Sequence, residues 1–240
     1  MRTLLRAVAT AALPLTIAQP TTALEIDDSA MRAWIMDNPE VIADALERHR
    51  KQTMEEQALR QQERALERLP DMLTDAPFLG SADATVDVVM FSDYRCPHCR
   101  HQHAQIQRLL EEDPDIKVTI REMPILGESS DLAARYALAV NEVAGQVAYQ
   151  AVHDRMFDAR SDIDTNWITV DMAGNELTSA AVFEEMMGEP VVAHLQTTAN
   201  IAREIEILGT PFLIIGDTVI PGGLDLASMQ HLIARHRALR

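Results

Sequence analysis

Residues 84–122 constrain the fold of this chain more than any other stretch. The run ATVDVVMFSDY is β-branched and apolar, and it reads as a buried strand of the parallel-sheet type. It leads directly into CPHC, where Pro97 suits the first position of a helix. That helix is predicted over residues 97–110 and is ended by EEDPD, after which IKVTIREM alternates as a second strand. Strand, helix, strand is the unit from which parallel sheets are built. An α/β fold is expected, with CPHC at a strand-to-helix junction.

The segment SDYRCPHCRHQH holds the chain's only two cysteines and three of its eight histidines. A structural disulfide between Cys96 and Cys99 would close so short a loop that it would remove little entropy from the unfolded chain. Chemistry explains the pair better. At a helix start, unpaired N–H groups and the helix dipole stabilise a thiolate, and cysteines so placed titrate at ~3.5–7.5 instead of about 8.5. Cys96 is predicted to be the attacking sulfur and Cys99, one turn deeper and less exposed, the resolving one. His98 between them adds positive charge when protonated. A stabilised thiolate leaves readily, which makes the disulfide more oxidising.

A metal site is the alternative. Cys96, His98, Cys99, His101 and His103 are ligand types that suit Cu(I) or Zn(II). On a helix, however, Cys99 and His103 share a face while His98 and His101 lie elsewhere. A closed four-ligand site from this stretch alone is strained, although a site shared between two chains escapes that limit. His101 and His103 are expected on solvated helix surface. Far downstream, GTPFLI places Thr210 and Pro211 at a strand start. A cis Pro211 would expose the Thr210 backbone to an extended substrate segment; a trans turn proline is the plainer alternative.

The net charge of −16 and pI near 4.8 oppose binding to a phosphate backbone, so no nucleic-acid partner is expected. The opening MRTLLRAVATAALPLTIAQPTTALE has Arg2 and Arg6 before a short apolar run and small residues at two candidate cleavage points. This is the layout of a secretory signal peptide over residues 1–23, and it implies export. A buried N-terminal helix and a retained membrane anchor are the alternatives, though the run is short of the ~20 residues a span needs.

Residues 24–77 read as a helical arm and linker. Asp27, Asp28 and Ser29 offer caps for a short helix carrying Met31, Trp34 and Ile35. Asn38 and Pro39 then start a second helix with no Gly or Pro up to residue 69, roughly 45 Å long if continuous. Val41, Ile42, Ala45 and Leu46 form one apolar stripe, and Leu59, Leu66, Leu69 and Leu73 another, with a polar middle between. Such a helix is either solvated or an oligomerisation arm whose apolar ends pack on partner chains. Pro70 and Pro77 bracket the predicted linker. Beyond the second strand, helices are expected from Ser130 or Asp131, over 146–160, 179–187 and 191–208 (ended by Gly209), and over 226–239. PFLIIGDTVIPGG supplies two strands joined at Gly216 and Asp217.

FSDYRCPHC, PILGESSDLAARYALA and GTPFLIIGDTVIPGG, in this order and spacing, resemble the DsbA family of thioredoxin-fold proteins, in particular the periplasmic ScsC-type members with an N-terminal helical extension. The likeness covers about residues 78–240, and the arm is similar in character. It implies a thioredoxin-like α/β fold with a helical insertion between the second and third core strands, preceded by an extended helical arm. It also implies Cys96 as nucleophile, Cys99 as resolving cysteine and Pro211 as a cis proline facing them, with Thr210 beside the substrate and no bound cofactor. The expected activity is that of a periplasmic thiol–disulfide oxidoreductase acting on exported proteins, served by a membrane redox partner, with a trimer through the arm. Pro97-His98 is the dipeptide of strongly oxidising members, whereas a threonine before the cis proline is common in isomerase-like ones. A copper- or zinc-binding protein using the same cysteines is the alternative function. One position departs from the family: a buried glutamate commonly lies six residues before the first cysteine, and here that residue is Met90.

Overall fold

The computed structural model describes residues 27–175 and 179–239. The targeting segment read at residues 1–23 lies outside them. Contacts divide the chain into two units between Thr53 and Met54. In the first, α1 (Asp28–Asp37) is capped by the Asp27 carboxylate, which accepts from the Ser29 amide. α2 (Pro39–Leu73) then opens on Pro39 as predicted. Met31, Trp34, Met36, Val41, Ile42 and Leu46 are all exposed.

In the second unit α2 runs through Pro70, past the break expected there. Pro70 removes one helical N–H in the last turn, while Ala65 and Met72 are completely buried and Leu69 and Leu73 pack beside them. The buried face outweighs one lost hydrogen bond. Leu69 and Leu73, read from sequence as candidates for partner chains, therefore serve this chain's own core. Shortening Met72 to alanine is expected to lower the stability measured by urea unfolding by about 2–5 kcal/mol.

The remaining elements follow in order: β1 (Phe78–Gly80), β2 (Val86–Ser92), α3 (Pro97–Glu112), β3 (Ile116–Glu122), α4 (Glu128–Ala144), α5 (Gln146–Asp158), α6 (Thr165–Gly174), α7 (Ser179–Glu185), α8 (Glu189–Glu204), β4 (Phe212–Ile215), β5 (Thr218–Pro221) and α9 (Leu226–Ala238). The strands form one sheet in the order β1-β3-β2-β4-β5. β2 and β3 are parallel, with Val88 opposite Val118 and Met90 opposite Ile120. β1, β4 and β5 each pair antiparallel with their neighbours. The tight β4–β5 turn requires Gly216, whose φ is +59°. The helices α4 to α8 are inserted between β3 and β4, the second and third core strands when β2 is counted first.

Strand alternation divides the core. Val86, Val88, Met90, Ile116, Val118, Ile120, Leu213 and Ile215 face one side, packed with Cys99, Ile106, Tyr136, Tyr149, Met156 and Met229. Val89, Phe91, Phe212 and Ile214 face the other, covered by the end of α2 and by Ile201, Ala202 and Ile205. Both faces are covered, so polar residues of β3 are enclosed too: Thr119 and Arg121 are each 1% exposed. Arg121 Nε donates to the Met72 carbonyl at 2.8 Å and Nη2 to the Thr74 carbonyl at 2.8 Å, satisfying carbonyls that the end of α2 leaves free. Burial lowers its pKa to about 10, which keeps it charged at neutral pH.

Two local expectations are corrected, and two elements were not foreseen. α4 starts at Glu128 with Gly127 as its N-cap, so neither Ser130 nor Asp131 caps it; the Ser130 hydroxyl instead donates to Asp93. α8 ends at Glu204, before Gly209, because Glu206 turns to φ +58° and Ile207 N bonds back to Ala202 O at 2.8 Å. α6, capped by Asp164, and the edge strand β1 had no clear periodic signal in the sequence.

Candidate active site

The β2–α3 junction positions Cys96 as the N-cap of α3, with extended backbone (φ −78°, ψ 117°) and Pro97 in the first turn. Its amide donates to the Asp93 carbonyl at 3.0 Å, and its own carbonyl accepts from Arg100 N at 3.1 Å, beginning the helical ladder. Both cysteines are free thiols. Cys96 retains 7% exposure and Cys99 none. Burial pushes the Cys99 thiol up to about 12, so it is protonated at neutral pH. One sulfur at the helix start and one enclosed a turn deeper is the arrangement that spacing predicted.

Thr210–Pro211 is cis. The Thr210 carbonyl accepts a hydrogen bond from Cys96 Sγ at 3.2 Å, and Pro211 is buried. Two segments over a hundred residues apart thus meet at the reactive sulfur. Gly223 is pressed into the same corner: a Cβ there would lie 2.9 Å from Gln102 Oε1 and 3.7 Å from Pro211 Cγ.

The histidines separate. His98 and His101 are exposed, but His103 is not on solvated surface as expected. It is 6% exposed, stacks on Phe157 at 4.8 Å between centroids, and reaches Asp154 at 3.3 Å through Nε2. Its position at i+4 from Cys99 directs it inward with that cysteine. Among the described residues no group of three or more His, Cys, Asp or Glu is placed to hold a metal ion.

Sequence reasoning missed a buried acid. Ile116, Val118 and Ile120 face the core with Cys99, and Glu122 continues the same face of β3. Glu122 Oε1 accepts from the hydroxyls of Tyr94 and Tyr149, each at 2.7 Å, and His153 Nδ1 lies 2.7 Å from the Tyr94 oxygen. Oε2 has no partner. Burial is the main cause that raises Glu122 to about 8; the tyrosine hydrogen bonds oppose it and the Asp93 charge adds to it. The acid is therefore mostly neutral at pH 7. Burial also holds His153 well below 6.5 and both tyrosines well above 10. Met90 is opposite Ile120, two residues before Glu122 on the same face. A buried carboxyl is present after all, supplied by the adjacent strand. The available signal was a glutamate in register with three inward apolar residues.

Asp93, left unassigned from sequence, organises the surroundings. Its carboxylate accepts from the amides of Arg95 (2.8 Å), Ile125 (2.8 Å) and Leu126 (3.1 Å), and from the Ser130 hydroxyl (2.8 Å). The loop leading to Cys96, the β3–α4 loop and the start of α4 are thereby tied together. Replacing Asp93 with alanine leaves four donors without this partner and is expected to lower stability by about 2–4 kcal/mol in urea unfolding.

The profile of the Thioredoxin family matches residues 73–235. Disulfide bond formation protein D of Bacillus subtilis (strain 168) is 25% identical over 171 residues, covering 66% of this chain and 76% of that protein. A thioredoxin-like oxidoreductase from Silicibacter pomeroyi DSS-3 superposes with a TM-score of 0.65 at 32% identity, covering 70% of this chain and 97% of that one. The catalytic domain of Proteus mirabilis ScsC gives a TM-score of 0.65 at 26% identity, covering 74% and 98%. A sheet flanked by helices on both faces, a dithiol at the β2–α3 junction and a cis proline against its first sulfur agree with these likenesses: the chain belongs to the thioredoxin family and is one of its thiol–disulfide oxidoreductases.

Proposed function

We propose that the chain forms or isomerises disulfides in exported proteins, in the periplasm, through the Cys96-Pro97-His98-Cys99 pair. The observation that carries this reading is the Cys96 sulfur at the start of α3, in hydrogen-bond contact with the Thr210 carbonyl, above an enclosed Cys99. In the oxidising direction a client thiolate attacks Cys96 Sγ of the disulfide form. The Cys96–Cys99 bond breaks, and Cys99 leaves with the electron pair and takes up a proton. A second client thiolate then attacks the client sulfur of the mixed disulfide and expels Cys96. Two electrons pass from client to protein, and a membrane redox partner removes them. In the other direction Cys96 attacks a client disulfide, and Cys99 releases the client or a client thiol reshuffles it. Thr210 and Pro211 form the wall against which the client's backbone lies. His98, exposed beside Cys96, tunes the thiolate.

Export rests on the residue pattern of positions 1–23; no described helix is long and apolar enough to cross a membrane. The exposed apolar residues of residues 27–53, Trp34, Met36, Ile42 and Leu46 among them, support assembly through the arm into a trimer. Assembly would place several redox pairs around one client and favour isomerisation.

Two variants of the mature protein test this reading. Cys96→Ser should refold a scrambled disulfide protein no faster than buffer; activity near that of wild type would refute the dithiol mechanism. Deleting residues 24–53 spares Ala65 and Met72 and should convert a trimer to a monomer by light scattering while reducing isomerisation several-fold. Undiminished isomerisation would show that assembly is not its basis.

A further inference from the structure

Gln102 lies on α3 six residues beyond Cys96, about 9 Å along the helix axis, and is 1% exposed. A buried amide must place both of its ends. Its Oε1 accepts from the Leu224 amide at 2.7 Å, and its Nε2 donates to the Met229 sulfur of α9 at 3.3 Å. Three residues on, Gln105 Oε1 accepts from the Leu226 amide at 3.3 Å. The redox helix is thus fastened by side chains to the loop between β5 and α9.

The same loop backs the cis proline. Phe212, the first residue of β4, lies opposite Pro221 at the end of β5. The chain then turns and brings Gly223 against the Pro211 ring, where a Cβ would lie 3.7 Å from Pro211 Cγ. That Cβ would also lie 2.9 Å from Gln102 Oε1, so a side chain there would push the amide oxygen off the Leu224 N–H. The contacts close into a ring. Cys96 Sγ meets the Thr210 carbonyl at 3.2 Å, Pro211 meets Gly223, and Leu224 meets Gln102, which leads back along α3 to Cys96. One side of the ring is helix and the other is strand and loop backbone, and the Gln102 amide joins them.

We propose that Gln102 is a positioning residue that, together with Gly223, sets the distance between the Cys96 sulfur and the Thr210 carbonyl. The inference rests on the dithiol chemistry proposed above and names a residue that adjusts it. Gln102 acts through the loop behind Pro211, and Thr210, joined to Pro211, carries the carbonyl that Cys96 meets. A carbonyl that accepts the S–H bond favours the thiol, and the same oxygen opposes negative charge on the sulfur. Both effects weaken in the same direction when the loop retreats. Cys96 then gives up its proton more readily and reacts faster on the acid side of its profile.

The test alkylates the reduced mature protein with iodoacetamide across a pH series and follows labelling of Cys96 by mass spectrometry. Cys99 is enclosed and pushed up to about 12, so it contributes little. Asp93, Arg95, His98 and Cys99, the ionisable neighbours of Cys96 in the chain, are the same in every variant. Gln102→Met keeps the length of the side chain and removes the acceptor for Leu224. Gly223→Ala keeps Gln102 and displaces its oxygen. Each should move the midpoint of the rate profile down, so that Cys96 reacts about threefold faster or more on the acid side of the wild-type midpoint. Met172→Ala, a cavity in the enclosed face of α6 within the helical insertion, should leave the midpoint where wild type has it. A wild-type midpoint in either folded variant overturns the positioning role. An equal shift in Met172→Ala overturns it too, because the effect would then be general loosening. The labelling needs no turnover; a wild-type protein that exchanges no thiols with glutathione would instead refute the dithiol mechanism, and the functional meaning of the clamp with it.

Discussion

Cys99→Ser is expected to leave a protein that captures clients and does not release them. Cys96, at the start of α3 and in contact with Thr210, can still attack a client disulfide. Release of a client that offers no second thiol of its own requires a thiol held beside the first, and Cys99 is the only other cysteine in the chain. Well-oriented neighbouring groups act at effective molarities of about 10⁵–10⁸ M, which millimolar external thiol does not match. Catalytic turnover should fall to background. Non-reducing gels should show a mixed disulfide through Cys96 that dithiothreitol dissolves. Serine occupies nearly the volume of cysteine in this enclosed position, so the fold should survive, which circular dichroism checks. Turnover close to that of wild type would mean that Cys99 is not the resolving group.

The second large effect is a pH dependence of stability originating at Glu122. Its folded pKa, about 8, lies above its unfolded value of 4.5 because the carboxylate would be buried. The folded state therefore holds a proton that the unfolded state has lost between these limits. The contribution is full below 4.5 and disappears as the pH rises through 8. His153 acts oppositely, since burial lowers its pKa and removes stability as the pH falls below 6.5. His194, lowered to about 4 by burial, does the same. The histidine and glutamate effects oppose each other below pH 6.5, and between 6.5 and 8 the Glu122 effect is read free of theirs. The tyrosines and Cys99 titrate above this window.

Unfolding of the reduced protein in urea should thus show a loss of about 2 kcal/mol between pH 6.5 and 8, from a slope of at most about 1.4 kcal/mol per pH unit. Glu122→Gln has no proton to lose and can still accept from Tyr94 and Tyr149. It should flatten that slope and become more stable than wild type, relative to its own value at pH 6.5, as the pH rises. A slope unchanged by the substitution would place the titrating group elsewhere.

How legible these features were depends on how far apart in the chain their causes lie. β2, α3 and β3 were readable because each is decided within its own residues: β-branched runs, a proline at a helix start and the EEDPD break. Cys96 and Cys99 followed from that local order alone. α2 was read to stop at Pro70 because a proline ends an isolated helix, yet Met72 is buried, and Leu73 packed, against strands that the proline rule does not see. His103 was assigned to solvent on the strength of its polarity. Phe157 and Asp154, fifty residues away, give it a partly apolar, hydrogen-bonding place.

Glu122 shows the same limit for chemistry. A glutamate at a strand end reads as a surface charge. Only when α5 brings Tyr149 and His153 across β3 does it become an enclosed, neutral acid. The strand-to-helix dithiol and the exposed apolar residues of the arm were set by local pattern, through propensity, spacing and side-chain chemistry. The cis Thr210–Pro211 contact with Cys96 and the acid network were decided by the tertiary structure. Each joins residues about thirty or more positions apart, and which surfaces lose their water on folding is a property of the whole chain.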